Sequence, residues 1–183
     1  MSKLLRKILS AAVFPAALMI VSKLAGLSIS NWLFNLGWNL ETSTGSLFSV
    51  RVTYADAASV VISNTYSNFI MILIMLLGTG MTLFQAYFLH ESHQNPRVLV
   101  KFMDINFIIW LTDSESLFPK MSVWIGFLWV STLIVITQTI RHVSDPWVAT
   151  LALLLSVIFT WFAIKDFERE IDTIIPENGK LNS

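Results

Sequence analysis

Four stretches of this chain are long, apolar and almost free of charge, and they limit its fold more than any other feature. A helix crossing a hydrocarbon core of about 30 Å needs about 20 mostly apolar residues. The candidates are Ile8–Ile29, Phe69–Leu89, Met121–Ile140 and Trp147–Ile164, and Lys23 is the one charged residue inside any of them. Across 183 residues the chain is 55% hydrophobic and 13% charged. That is about half the charged share of a soluble domain. The sequence therefore predicts an all-α membrane protein with four transmembrane helices, residues 1–183 forming a single polytopic domain. A soluble enzyme and a disordered tail are excluded. The absence of cysteine excludes a disulfide scaffold and thiolate metal sites. Twelve basic residues balance twelve acidic ones, so no nucleic-acid partner is expected.

The first stretch follows Lys3, Arg6 and Lys7, as a secretory signal would. It is longer than an ordinary signal core and ends without a small-x-small cleavage site, so a retained helix is expected. Orientation follows from basic residues in short flanks. With the N-terminus in the cytoplasm, Lys3, Arg6, Lys7, Arg97, Lys101, Lys120, Lys165, Arg169 and Lys180 lie inside, and only Arg51 and Arg141 lie outside. Trp32 and Trp147 then mark the outer boundary, and Trp110, Trp124 and Trp161 the inner one. The expectation is N-in and C-in, in the inner (plasma) membrane of a bacterium.

The outer loop, residues 30–68, is long and polar. Within it Phe48–Tyr54 alternates apolar and polar residues, the period of a half-buried strand. Two continuations compete. In one, Ala55–Ala58 turns the strand back into Val60–Ile62 as a small hairpin, making a loop subdomain. In the other, favoured by Ala57, Ala58 and the absence of Gly or Pro, a helix starts near Asp56 and runs into the second span. On the inner side, Asn95-Pro96 breaks the second helix. Residues 97–111 are apolar but short, with Arg97, Lys101 and Asp104 on one helical face, which predicts an amphipathic helix lying in the interface. The tail, 165–183, continues the fourth span as an amphipathic stripe ended by Pro176.

An ionisable residue inside a span is a functional candidate by default. Lys23 lies about 22 Å along its helix at 1.5 Å per residue, so its stem can also snorkel to the headgroups. Alternatively it faces the bundle and pairs with Asp56 or Asp145. Ala12, Ala16, Met19, Lys23 and Gly26 share one face, and small residues mark helix contacts in bilayers. The other spans each carry one mildly polar face: Met75, Gly78, Thr82 and Gln85; Ser131 and Gln138; Ala149, Ser156 and Thr160. Such faces read either as interhelical hydrogen bonding or as a narrow polar path. The residues singled out as functional or packing positions within the membrane are Lys23, Gly26, Gly78, Thr82, Gln85, Ser131 and Gln138.

His90 and His93 are three apart beside Glu91, while His142 belongs to the opposite side of the membrane. A metal needs three or four ligands, so no metal, haem or other cofactor is expected. No nucleophile elbow, His-Glu-x-x-His pair or facing intramembrane aspartates occur. The functional expectation is a non-enzymatic accessory, scaffold or assembly subunit of a membrane complex. Its partners would be the lipid bilayer and other membrane subunits or further copies of itself. The alternatives are an oligomeric channel or transporter with a polar path near Lys23, and an immunity or exclusion protein.

Overall fold

The computed structural model describes residues 3–42, 50–88 and 114–179. The interfacial segment 97–111, His90, His93, Phe48-Ser49 and the chain end from Lys180 lie outside the described residues. The elements are α1 (Lys3–Leu33), β1 (Trp38–Thr42), β2 (Val50–Tyr54), α2 (Ala57–Phe88), α3 (Ser114–Ile140) and α4 (Pro146–Gly179). Within them Ile8–Leu33, Ala57–Tyr87, Pro119–Ile140 and Pro146–Glu168 are long and apolar enough to cross a membrane, the architecture of a multi-pass membrane protein.

The strand expected at Phe48–Tyr54 is present as β2, but its partner lies upstream. β1 and β2 pair antiparallel with Trp38 opposite Tyr54 and Thr42 opposite Val50. Val60–Ile62, the alternative partner, lies inside α2. The physical reason is a cap. Asp56 Oδ1 accepts the backbone N–H of Ser59 at 2.9 Å, satisfying a donor of the first turn and starting the helix at Ala57. Consequently α2 begins well before the apolar heart at Phe69, and the connection between the first two spans is correspondingly shorter than residues 30–68. Helix α4 likewise continues to Gly179, past Pro176.

Two helices end in the same way. Val143 N–H donates to the Gln138 carbonyl at 3.0 Å and His142 N–H to the Thr139 carbonyl at 2.9 Å, with His142 at φ 56°. This is a Schellman cap with a histidine in the left-handed position usually taken by glycine. At the end of α1, Leu36 N–H donates to the Asn31 carbonyl at 3.1 Å and Asn35 has φ 50°. Asparagine tolerates that conformation better than most side chains.

Helix α2 packs against α1, α3 and α4. Its central turns meet Val135, Val148 and Ala152 through Met71 and Ile72, and its last turns meet Met121 and Ala163 through Leu83 and Ala86. The side chains buried beside these are largely small and polar, among them Ser22, Ser30, Ser63, Thr65, Ser67, Asn68, Thr79, Thr132 and Ser156. Large apolar side chains such as Val13, Phe14, Val21, Leu77 and Leu154 point outward. Helices surrounded by lipid associate through small and hydrogen-bonding residues, because burying leucine there gains nothing over leaving it in the bilayer.

Two predictions follow from these termini. Replacing His142 by Gly removes the Cβ penalty of the left-handed position and should stabilise the protein by about 0.5–1 kcal/mol. Thermal unfolding in detergent measures this, and a lowered midpoint would show that the imidazole itself holds the turn. Hydrogen bonds from the Ser59 hydroxyl and then its backbone N–H hold the Asp56 carboxyl below its ordinary value. A carboxyl lowered by folding stabilises above its unfolded pKa and loses that contribution as pH falls through its folded pKa. Asp56→Asn keeps the cap and removes the titration. The variant should therefore lose less stability than the wild type between about pH 5 and pH 2; equal losses would refute the assignment.

Candidate functional site

The site grows from Asn68, on the buried stripe of α2. That side chain is fully buried and joins three other parts of the protein. Its Oδ1 accepts from Lys23 Nζ of α1. Its Nδ2 donates to Gln138 Oε1 of α3 at 2.8 Å and to Ser144 Oγ of the α3–α4 turn at 3.1 Å. The polarity of this cluster follows from one fact: an ammonium group donates and cannot accept. Lys23 therefore requires the oxygen of the Asn68 amide. The Asn68 nitrogen then faces Gln138, which must present its own oxygen.

Lys23 turns toward Asn68 of α2, and no ion pair joins it to Asp56 or Asp145. Among the described residues no carboxylate is within ion-pair distance of its Nζ. Asp56 is engaged by Ser59. At Asp145 it is the backbone N–H that reaches α2, donating to Thr65 Oγ1 at 2.9 Å. The anticipated carboxylate partner is a buried amide because α1 and α2 meet closely along this line, which leaves Asn68 the nearest acceptor. Ser67 Oγ donates to the Lys23 carbonyl at 2.8 Å. A Cβ on Gly26 would stand 2.8 Å from Ser67 Cα and 3.0 Å from its carbonyl oxygen. No flexible side chain could yield there, so glycine is what lets the two backbones approach.

A second polar knot lies beyond the first, toward the hairpin. Tyr54 Oη of β2 donates to Asn31 Oδ1 at 3.1 Å and lies 2.6 Å from Ser63 Oγ. Ser63 Oγ donates to Asn31 Oδ1 at 3.0 Å, and Ser30 Oγ is 3.3 Å from Ser63 Oγ. The hairpin is thus fastened to α1 and α2 through Tyr54.

The remaining residues singled out from sequence are dispersed. Gly78 faces Trp124 of α3, whose ring lies where a Cβ would stand, and Phe14 of α1 meets the same ring edge-on at 6.1 Å. Thr82 Oγ1 bonds to the Thr79 carbonyl and Ser131 Oγ to the Leu128 carbonyl, each at 2.8 Å. Their hydroxyls therefore serve their own helices. Gln85 is half-buried near the far end of α2. The polar face of α4 meets α3, with Thr132 and Ser156 hydroxyls 2.8 Å apart and Trp129 Nε1 donating to Thr160 Oγ1 at 3.0 Å. Only Lys23 and Gln138 of the seven come together, through Asn68, with Gly26 one turn away. Among the described residues no group of three or more His, Cys, Asp or Glu is placed to hold a metal.

Asn68, Ser63, Thr65 and Ser67 escape a reading that ends the outer loop at Asn68. One signal would have found Asn68: it precedes Met75 and Thr82 by one and two heptads, so the polar face of the second span extends back to it. Comparisons with protein-family models, curated proteins and solved structures found no match.

Asn68→Leu removes the centre of three hydrogen bonds. At about 0.6 kcal/mol per interhelical bond in a bilayer, the loss is about 2 kcal/mol, plus the cost of a buried ammonium without an acceptor. Asn68→Asp keeps an oxygen for Lys23 and supplies a countercharge. The leucine variant should lower the unfolding midpoint in detergent well below that of the aspartate variant; equal effects would remove Asn68 from its central role.

Proposed function

We propose that this protein is a non-enzymatic subunit of a complex in a bacterial inner membrane, with both termini cytoplasmic, and that its α1–α2 end contacts a partner membrane protein. The observation carrying this reading is the mismatch between the two helix pairs. The α3–α4 turn meets α2 between Thr65 and Phe69: Asp145 bonds to Thr65, Ser144 to Asn68, and the Trp147 ring lies 5.5 Å from that of Phe69. Helices α1 and α2 continue past this turn by roughly 8–10 residues, or about 12–15 Å. This arm carries the hairpin. It also carries exposed Ile29, Trp32, Leu33 and Trp38, with Trp32 82% exposed.

With α3 and α4 crossing the bilayer, their turn lies at its outer boundary, where Arg141 is one of only two outer basic residues. The arm then stands in the outer interface and beyond, where an apolar aromatic surface calls for a partner more than it does in lipid. A conduit is less well supported, because Thr82 and Ser131 bond back to their own helices.

Extraction in mild detergent should recover the protein with stoichiometric membrane partners. Trp32→Ser should reduce that recovery at least several-fold, whereas Val157→Ser on the outward face of α4 should not. A clean homo-oligomer that conducts solute after reconstitution would overturn the reading in favour of a channel.

A further inference from the structure

The hydrogen-bond inventory around Asn68 has a one-sided remainder. Asn68 spends both of its amide hydrogens, on Gln138 and Ser144, and its oxygen accepts from Lys23. Lys23 Nζ keeps two further hydrogens. Gln138 offers its oxygen to Asn68 and so keeps its amide N–H groups, and Ser144 accepts from Asn68 and keeps its O–H. Among the described residues none of these donors has another side-chain acceptor. The unspent hydrogens of the cluster therefore include those of a charged ammonium, and among the described residues no carboxylate forms an ion pair with it. Asp145 adjoins Ser144 but makes no ion pair with Lys23. Asp166, a buried carboxylate, belongs to the other end of the bundle, next in sequence to Lys165 and three residues from Ala163, which packs on Met121. A half-buried cation without a countercharge is costly, so this arrangement suits an anion supplied from outside the chain.

We propose that Lys23, Gln138 and Ser144, oriented by Asn68, bind a phosphate oxyanion at the α3–α4 end of the bundle. Lys23 is only half-buried, leaving an approach from outside. It is flanked along α1 by outward-facing Ile20, Val21 and Leu24, and the turn beside it carries exposed Ile140 and Trp147. These residues suit acyl chains and the boundary next to a headgroup. A phospholipid headgroup and free phosphate present the same oxyanion chemistry. The proposal rests on the donor inventory and does not depend on the partner assigned to the arm.

The test uses the full chain in a phosphate-free sugar detergent, titrated separately with phosphatidylglycerol, inorganic phosphate and diacylglycerol while thermal unfolding is followed. The wild type should be stabilised by phosphatidylglycerol and not by diacylglycerol. A response to micromolar phosphatidylglycerol alone identifies a lipid site, and a matching response to millimolar inorganic phosphate identifies a free-anion site; either supports the proposal. Gln138→Glu retains an oxygen for Asn68 and places a carboxylate beside the cluster. It should fold with an unfolding midpoint no lower than that of the wild type and weaken the ligand response at least tenfold. Lys23→Gln, which keeps a donor for Asn68 without the charge, provides the same reading should the glutamate variant fail to fold. A wild type indifferent to both phosphatidylglycerol and phosphate overturns the proposal, as does an undiminished response in a folded variant.

Discussion

A helix in a bilayer satisfies its own backbone, so it can select a neighbour only through close approach of small residues and through hydrogen bonds between side chains. Both devices operate together where α1 meets α2. Gly26 brings the α1 backbone against Ser67, and that approach places the Lys23 ammonium within reach of Asn68. Neither feature would serve without the other. A methyl group at position 26 would separate the helices, and an apolar residue at position 68 would leave the ammonium among groups unable to accept its hydrogens. The same amide then reaches Gln138 and the turn at Ser144, so one side chain ties both α1 and α3 to α2.

Away from this level, α3 and α4 still share hydrogen bonds, Thr132 with Ser156 and Trp129 with Thr160, but α2 is held by shape. Trp124 of α3 lies over Gly78 of α2 and meets the edge of Phe14 of α1, so a single indole contacts two neighbouring helices. Farther along, Leu83, Ala86, Met121 and Ala163 bring α2, α3 and α4 together. The outward face of α1 carries large apolar residues such as Val13, Ile20, Val21 and Leu24. The hydrogen bonds that join α2 to its neighbours are concentrated near the α3–α4 turn, and its packing elsewhere is aromatic or aliphatic, which suits a bundle whose middle faces hydrocarbon. Polar contacts near the boundary gain from being made, while those deeper in are mostly bonds of Ser and Thr to their own helices.

The four helices were legible because length and hydropathy suffice to mark them. The strand at Val50–Tyr54 was legible because alternation survives over a short run. The identity of its partner was not. Trp38–Thr42 (Trp-Asn-Leu-Glu-Thr) also alternates, but only faintly, and pairing depends on Tyr54 being drawn to Asn31 and Ser63, a contact between residues distant in sequence. Lys23 stood out as a charge on a small-residue face, yet its partner was sought among carboxylates. Asn68 fell at the edge of an apolar stretch, where polar residues ordinarily mean loop. What hid it was the start of α2: the Asp56 cap extends the helix back into sequence that hydropathy alone assigns to a loop.

That early start has a further consequence. Helices longer than the hydrocarbon core either tilt or project. Tilting α2 far from α3 would break the bonds from Asp145 to Thr65 and between Asn68 and its partners on α3 and the turn. The excess length of α1 and α2 therefore emerges as a shared arm beyond the α3–α4 turn. Two helices alone cannot enclose a core, which explains why the contact between them there is so polar: Ser30, Asn31 and Ser63 hydrogen-bond with one another and with Tyr54 instead of packing aliphatic side chains. The hairpin ties the arm at its tip but leaves Ile29, Trp32 and Leu33 uncovered. An arm fixed by hydrogen bonds at its base and tip, and apolar along an open side, is pre-organised in the sense that matters for association. Little of the conformational entropy of ordering it would remain to be lost were that side covered.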